Sequence, residues 1–375
     1  DSMGKSVGST KKMEGAMDLA DIKSDVVTML EESENEEVLF VGTYTDNGSE
    51  GIYTFNLNTD TGELTNKSLT AKIKNPSYIA FSPDRNSLYA VSEVDDYKKD
   101  EGSITTFSIK DTTLIKVSEQ STYGANPCYI GVDTTGKIVA VANYTGGNVA
   151  VYNTLENGDL RNGPQIIDHK ILDSTKTAHA HMAMFLNDEL VVTDLGLDKI
   201  RIYSETEEKF VSSEQEELVV AEGAGPRHFV TSKNGNFLYV INELNSTITV
   251  FKDVSGQFVE LDTYNTVDAT FKGESYCADI HLSPDGKYLY GTNRGENTVV
   301  IFQVNETTGK LKLVGREPVK GDWPRNFVLD PSGKYVLVAN QRSNNIVVFS
   351  RDEKNGTLTF VSQVDLPSPV CLKFY

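Results

Sequence analysis

The segment PSYIAFSPDRNSLYAVSE, which begins at Pro76, returns in altered form five times along the chain. Clear copies begin at Pro226 (PRHFVTSKNGNFLYVINE), Cys277 (CADIHLSPDGKYLYGTNR) and Pro324 (PRNFVLDPSGKYVLVANQ). Weaker ones begin at Pro127 and Ala180, and successive starts lie 46–53 residues apart. Each copy reads as an apolar run, a polar turn, a second apolar run and another polar turn. Two further segments rich in β-branched and aromatic residues follow it, such as STITVF and FVELDTY. Gly, Asn and Asp bound all of these, as they bound strands. A unit of this length with four antiparallel strands cannot bury its apolar faces alone. Stacked radially, such units are the blades of a β-propeller.

The count reaches seven, and the ends show how the ring closes. First strands (A) begin near residues 76, 127, 180, 226, 277, 324 and 369. VLFVGTY at 38–44 reads as a second strand (B) with no first strand before it. SPVCLKFY at 368–375 reads as a first strand with nothing after it. The expected fold is therefore all-β, a seven-bladed β-propeller over 38–375 whose C-terminal strand completes the first blade and leaves no open edge. Residues 1–37 stand outside the repeat as an N-terminal extension. Positions 1–17 are polar and expected to be disordered. Leu19, Ile22, Val26, Val27 and Leu30 follow helical spacing, which predicts a short amphipathic helix over 18–31, with coil as the alternative.

Charge narrows the function. The net charge is −19 and the pI near 4.7, which argues against nucleic acid as a partner, since that needs a basic surface. A small anionic ligand remains compatible, because a basic pocket can sit inside an acidic shell. Residues 1–37 carry ten Asp/Glu against four Lys, so part of the excess lies outside the repeat. No apolar run approaches the roughly eighteen residues of a membrane helix, so a soluble protein without a membrane span is expected. A cytoplasmic location is the expectation, with export after removal of a leader as the alternative. The sequence leaves the oligomeric state open. Cys128, Cys277 and Cys371 are an odd, widely spaced set near equivalent strand starts, which reads as small buried residues rather than disulfides or a metal site.

Antiparallel order decides which turns share a face. The A–B turns carry ordinary turn residues and lie together at one end of the ring. The residues opening strand A and those in the B–C turn lie at the other end, around the channel mouth. Strand-A openings supply His179, His181, Arg227, His228 and Arg325, and B–C turns supply Asn143, Glu243, Asn245, Arg294 and Gln341. A lone Arg at a strand opening is usually a solvated surface residue, but three from three blades at one mouth suggest an anion pocket. The i, i+2 spacing of His179 and His181 places both rings on one side of a strand. They could be a metal pair, a catalytic imidazole beside a packing one, or two structural histidines. No third ligand stands at a recognisable spacing, so no metal is expected. His281 reads as structural and His169, which has no counterpart in the repeat, as a surface residue. GxSxG, Walker A, GxGxxG and HExxH motifs are absent, and Asp322-Trp323 is in the wrong order for a WD signature.

EGAGPRHFV (222–230), LYVINELNSTITVF (238–251), ADIHLSPDGKYLY (278–290) and PRNFVLDPSGKY (324–335) resemble the 6-phosphogluconolactonase propeller family. That family includes a carboxymuconate lactonizing enzyme on the same scaffold. The resemblance covers about 38–375 and is most specific at Gly-Pro-Arg-His and Asn-Glu-Leu-Asn. It implies hydrolysis of a sugar lactone, 6-phospho-D-glucono-1,5-lactone to 6-phosphogluconate in the pentose phosphate pathway, with a small anionic lactone as partner and no cofactor. Lactonization of a carboxymuconate and a non-catalytic binding propeller are the alternatives. The active-site set of the lactonizing relative falls by motif on His179, Arg227, Glu243 and Arg294, with His181 competing for the histidine position. Met182 departs from the small polar residue usual after the second histidine. His181, His228, Arg325 and Asn143 are the expected substrate-binding residues.

Overall fold

A computed structural model of the chain describes residues 18–23 and 35–375. The chain divides into two units, Asp1–Glu36 and Glu37–Tyr375. In the first, residues 19–23 form a helical turn, closed by Ile22 N donating to Asp18 O at 3.0 Å. The rest of the helix expected over 18–31, and the disorder expected over 1–17, lie outside the described residues.

The second unit is a ring of seven four-stranded antiparallel sheets, the seven-bladed β-propeller expected from the repeat. In six blades the four strands follow one another in the chain. The seventh is assembled from both ends: Pro369–Phe374 pairs with Glu36–Thr43, Val41 standing opposite Leu372 and Gly42 opposite Cys371. Gly42 is required at this junction. A Cβ there would stand 2.2 Å from the backbone oxygen of Pro76, which opens the next blade.

Burial follows position in the blade. The B strands Ser87–Ser92, Phe237–Asn242 and Tyr335–Asn340 are buried along their whole length. They lie inside a blade with a neighbouring blade on each face, so their sequences are near-continuous apolar runs. The outer D strands, such as Gln257–Asn265 and Lys209–Val219, are largely exposed and carry the charged residues.

One polar device recurs between blades. The Asn that ends strand B donates its side-chain amide to the carbonyl just after the preceding blade's strand D. Asn143 donates to Thr122 O (2.8 Å), Asn293 to Thr266 O (3.1 Å) and Asn340 to Val319 O (3.0 Å). All three Asn are fully buried.

Candidate active site

Two backbone features build the channel mouth. The first residue after strand B donates its N–H back to the loop that opens strand A. The pairs are Tyr44 to Ser368, Glu93 to Asn75, Tyr144 to Asn126, Leu195 to His179, Glu243 to Gly225 and Gln341 to Trp323. This pins one side chain per blade at the rim, and Arg294 holds the equivalent position in its blade. The second feature is a bulge at the start of strand A. Pairing with strand B skips one residue between Pro127 and Tyr129, Ala180 and Met182, Pro226 and His228, and Pro324 and Asn326. The residues skipped are Cys128, His181, Arg227 and Arg325. A bulge re-aims the extra side chain, and here all four line the mouth.

The loop before Arg227 shows how the sequence sets this up. The Asp198 carboxylate accepts from the N–H groups of Gly223 and Gly225, both at 2.8 Å. Gly225 has φ +70°, a conformation that suits glycine, and Pro226 then fixes the strand opening.

The resulting pocket has a volume of about 310 Å³ and is lined by Glu93, Asn126, Cys128, Tyr144, Thr145, His181, Arg227, Glu243, Arg294 and Arg325. Its charges fall into two clusters. In one, Arg294 Nη2 donates to Glu243 Oε1 at 2.5 Å, and Arg227 Nε lies 3.3 Å from the same oxygen. Arg227 Nη1 also donates to Ala278 O (2.6 Å) and Arg294 Nη2 to Cys277 O (2.8 Å), so both guanidinium groups are held in place. In the other, the Glu93 carboxylate accepts from Tyr44 Oη (2.6 Å), Ser77 Oγ (3.0 Å) and Arg325 Nη2 (3.4 Å). Three guanidinium groups against two carboxylates leave the pocket one positive charge in excess.

Burial would raise the Glu243 carboxyl, but Arg294 and Arg227 outweigh it and hold it below the ordinary value, so it stays ionised. Burial, then Arg294, lowers Arg227 to about 10, still protonated at neutral pH. Burial, with Arg227 and His228 adding to it, puts His181 well below the usual imidazole range. His181 is therefore an uncharged imidazole with positive charge beside it. Cys128 is buried and its thiol is pushed up by that burial, so it is an inert wall.

Arg227, Glu243, Arg294, Arg325 and His181 thus come together at one mouth. His179, His228 and Asn143 do not join them in the lining. His179 occupies the loop position held in other blades by Asn75, Asn126, Gly225 and Trp323. Its backbone closes the turn, and its ring stacks on Tyr144 (centroids 4.2 Å apart) while Nδ1 lies 2.9 Å from Tyr144 O. His228 lies one step deeper and lines a separate cavity of about 420 Å³ in the other half of the channel, walled largely by apolar strand-A residues such as Met184, Leu186 and Val328. Asn143 is the inter-blade clamp described above. His169 is a correction: it is fully buried, with Nδ1 2.8 Å from Asp194 Oδ2 and Nε2 2.8 Å from Tyr203 Oη. It directly follows strand D, at the position Thr122, Thr266 and Val319 hold in their blades. Its N–H donates to Gly147 O as theirs do to Gly102, Ser246 and Asn297, and that position is buried in each of these blades. Glu93 and Tyr144 were missed. The signal was available, since AVSE and VANY end at the same position as VINE and GTNR.

Among the described residues no helix is long and apolar enough to cross a membrane.

The chain matches relatives along most of their length. The chain is 37% identical over 306 residues to a 6-phosphogluconolactonase of Formosa agariphila, covering 78% of this chain and 86% of the relative. It is 33% identical to a 6-phosphogluconolactonase of Bacillus subtilis, covering 89% of this chain and 97% of that one. Among solved structures, the periplasmic gluconolactonase of Pseudomonas aeruginosa superposes with a TM-score of 0.84 at 32% identity, over 90% of this chain and 99% of its own. The family model for lactonases with a seven-bladed β-propeller matches residues 38–374, and the chain belongs to that family.

Proposed function

We propose that the protein is a lactone hydrolase whose substrate is 6-phospho-D-glucono-1,5-lactone, opened to 6-phosphogluconate as in the pentose phosphate pathway. The observation that carries this reading is the buried His181 imidazole in a pocket where Glu243 holds Arg227 and Arg294 in fixed positions. Ester hydrolysis needs a base for the attacking water and fixed positive charge where the carbonyl oxygen becomes negative. His181 takes a proton from water as the water oxygen bonds to the lactone carbonyl carbon. Arg227 and Arg294 stabilise the resulting oxyanion. When the intermediate collapses, the bond from that carbon to the ring oxygen breaks, and the ring oxygen leaves as the hydroxyl after receiving the proton from His181. Glu243, held ionised, orients the guanidinium pair rather than acting as the base. Arg325, on the opposite cluster, is suited to a phosphate or hydroxyl group by its planar fork of donors. Two relatives are named for the phosphorylated lactone and the Pseudomonas neighbour for gluconolactone. The excess positive charge of the mouth favours the phosphorylated one. A phosphorylated sugar does not cross a bilayer unaided, so this substrate favours a cytoplasmic location.

The test is a comparison of kcat/KM for 6-phosphogluconolactone and glucono-1,5-lactone, each corrected for spontaneous opening. A preference of at least tenfold for the phosphorylated lactone, reduced in Arg325→Ala, is the expected result. Equal or reversed preference overturns the phosphate assignment, and no acceleration of either overturns the lactonase reading.

A further inference from the structure

Beneath the mouth, the structure holds a cluster of imidazole and carboxylate groups that the reaction above does not use. Asp279 is 3% exposed. Its carboxylate lies 2.9 Å from His228 Nδ1 and 2.9 Å from His281 Nε2, and it accepts from Asn326 Nδ2 at 3.1 Å and from Ile280 N at 2.9 Å. The His228 ring stands 5.2 Å from the His181 ring, nearly edge to face at 67°. Two ring nitrogens in this pair are buried without a partner, His181 Nδ1 and His228 Nε2. Of the His181 nitrogens, that leaves Nε2 as the one able to face the pocket.

The chemistry of the orphaned pair is complementary. Burial alone would raise the Asp279 carboxyl, but the charge of His281 and the hydrogen bonds from His228 and His281 hold it well below the usual carboxylate range. An ionised Asp279 can only accept, so His228 carries its proton on Nδ1 and its Nε2 is a lone pair. Burial, then Arg227, lowers His228 to about 4, so it stays neutral at working pH. For His181 to act as a base through Nε2, its proton must sit on Nδ1, and that N–H needs an acceptor. His228 Nε2 is an acceptor that lacks a donor.

We infer that His228, anchored by Asp279, is a positioning residue that fixes the tautomer of His181: its unpartnered Nε2 lone pair favours the proton on the equally buried His181 Nδ1, leaving the His181 Nε2 lone pair aimed at the lactone. The inference rests on the lactonase reading for its consequence in catalysis, but the tautomer itself is independent of any substrate. The charged and titratable groups around the pair are Arg227, Arg294, Arg325 and Tyr144 on the His181 side and Asp279, His281 and Tyr129 on the His228 side.

The experiment is nitrogen-15 NMR of the full chain labelled on histidine, with His181 and His228 assigned by single substitution, together with kinetics of His228→Phe and His228→Gln. At neutral pH both rings are expected as the neutral Nδ1–H form. His228→Phe removes the acceptor, so His181 is expected to become a mixture of tautomers. Turnover is then expected to fall about tenfold or more, a part of the 10²–10⁴ that a general base supplies, with KM within about twofold. His228→Gln, which restores an acceptor, is expected to recover part of the loss. A His181 ring protonated on Nε2 in the unsubstituted protein overturns the inference, and so does unchanged turnover in a folded His228→Phe variant. If His228→Phe fails to fold, the tautomer in the unsubstituted protein still decides. Absence of lactonase activity would count against the function proposed above and leave the tautomer measurement standing as the test of the relay.

Discussion

Glu243 and Arg294 meet across two neighbouring blades, with Arg294 Nη2 donating to Glu243 Oε1 at 2.5 Å while Arg227 Nε approaches the same oxygen at 3.3 Å. One carboxylate thus fixes two guanidinium groups that would otherwise repel each other. Arg227→Ala is expected to cost about 2–4 kcal/mol of transition-state stabilisation if it acts at the oxyanion. Arg227→Lys should restore little, because a point charge does not replace a planar fork. Glu243→Gln leaves two buried cations without their counter-charge and is expected to lower stability by about 3 kcal/mol as well as kcat/KM. Steady-state kinetics and thermal melts of the three variants check these outcomes.

The ring and its closure were legible because the repeat carries them. Apolar runs and turn residues recur in register, and the chain ends supply the one missing and the one spare strand. The site was legible only to the level of which strands open onto the mouth. Reading His179 and His181 by simple alternation treated them as equivalent, but the bulge between Ala180 and Met182 sends His181 into the channel and leaves His179 in the loop. A bulge is a mismatch between two paired strands, and one strand's sequence does not display it. Asn143 looked like a site residue because it is polar and at the right end. Its role became visible only from the carbonyl of the preceding blade.

Asn143 makes a prediction that separates structure from chemistry. Asn143→Ala removes the donor to Thr122 O and to Asn148 Oδ1. It is expected to cost about 1–3 kcal/mol in chemical denaturation, with kcat and KM of the folded protein changed by less than about threefold, below 1 kcal/mol. A loss of activity without loss of stability would return Asn143 to the site.

Trp323 is the chain's one tryptophan and sits at the rim, with the Arg294 guanidinium 5.3 Å and the Arg342 guanidinium 3.5 Å from its ring centroid. A ligand that engages Arg294 changes the charge beside the indole. Titration with 6-phosphogluconate is therefore expected to shift or quench the fluorescence saturably, and the change should disappear in Arg294→Ala. A signal unaffected by that substitution would place the ligand elsewhere.

Glu37 gives a pH dependence of stability at the opposite end of the blades. Burial, then the charge of Asp330, raises it from 4.5 to about 7. Because the folded state favours the protonated carboxyl, this contribution is fully present below about 4.5 and is lost as pH rises through about 7. Glu37→Gln keeps a neutral donor toward Asp330. Its Tm should match that of the unsubstituted protein near pH 5 and exceed it by a few degrees at pH 8. Equal differences at the two pH values would contradict the assignment.

The central claim is that the charged mouth opens a sugar lactone, with His181 as base and Arg227 at the oxyanion. Proton release from freshly prepared 6-phospho-D-glucono-1,5-lactone, with spontaneous opening subtracted, measures it most directly. Unsubstituted protein should accelerate release well above background, and His181→Ala and Arg227→Ala should each fall by about a hundredfold or more while still unfolding in one cooperative thermal transition. Unsubstituted protein no faster than background, or full turnover in both folded variants, would contradict the account.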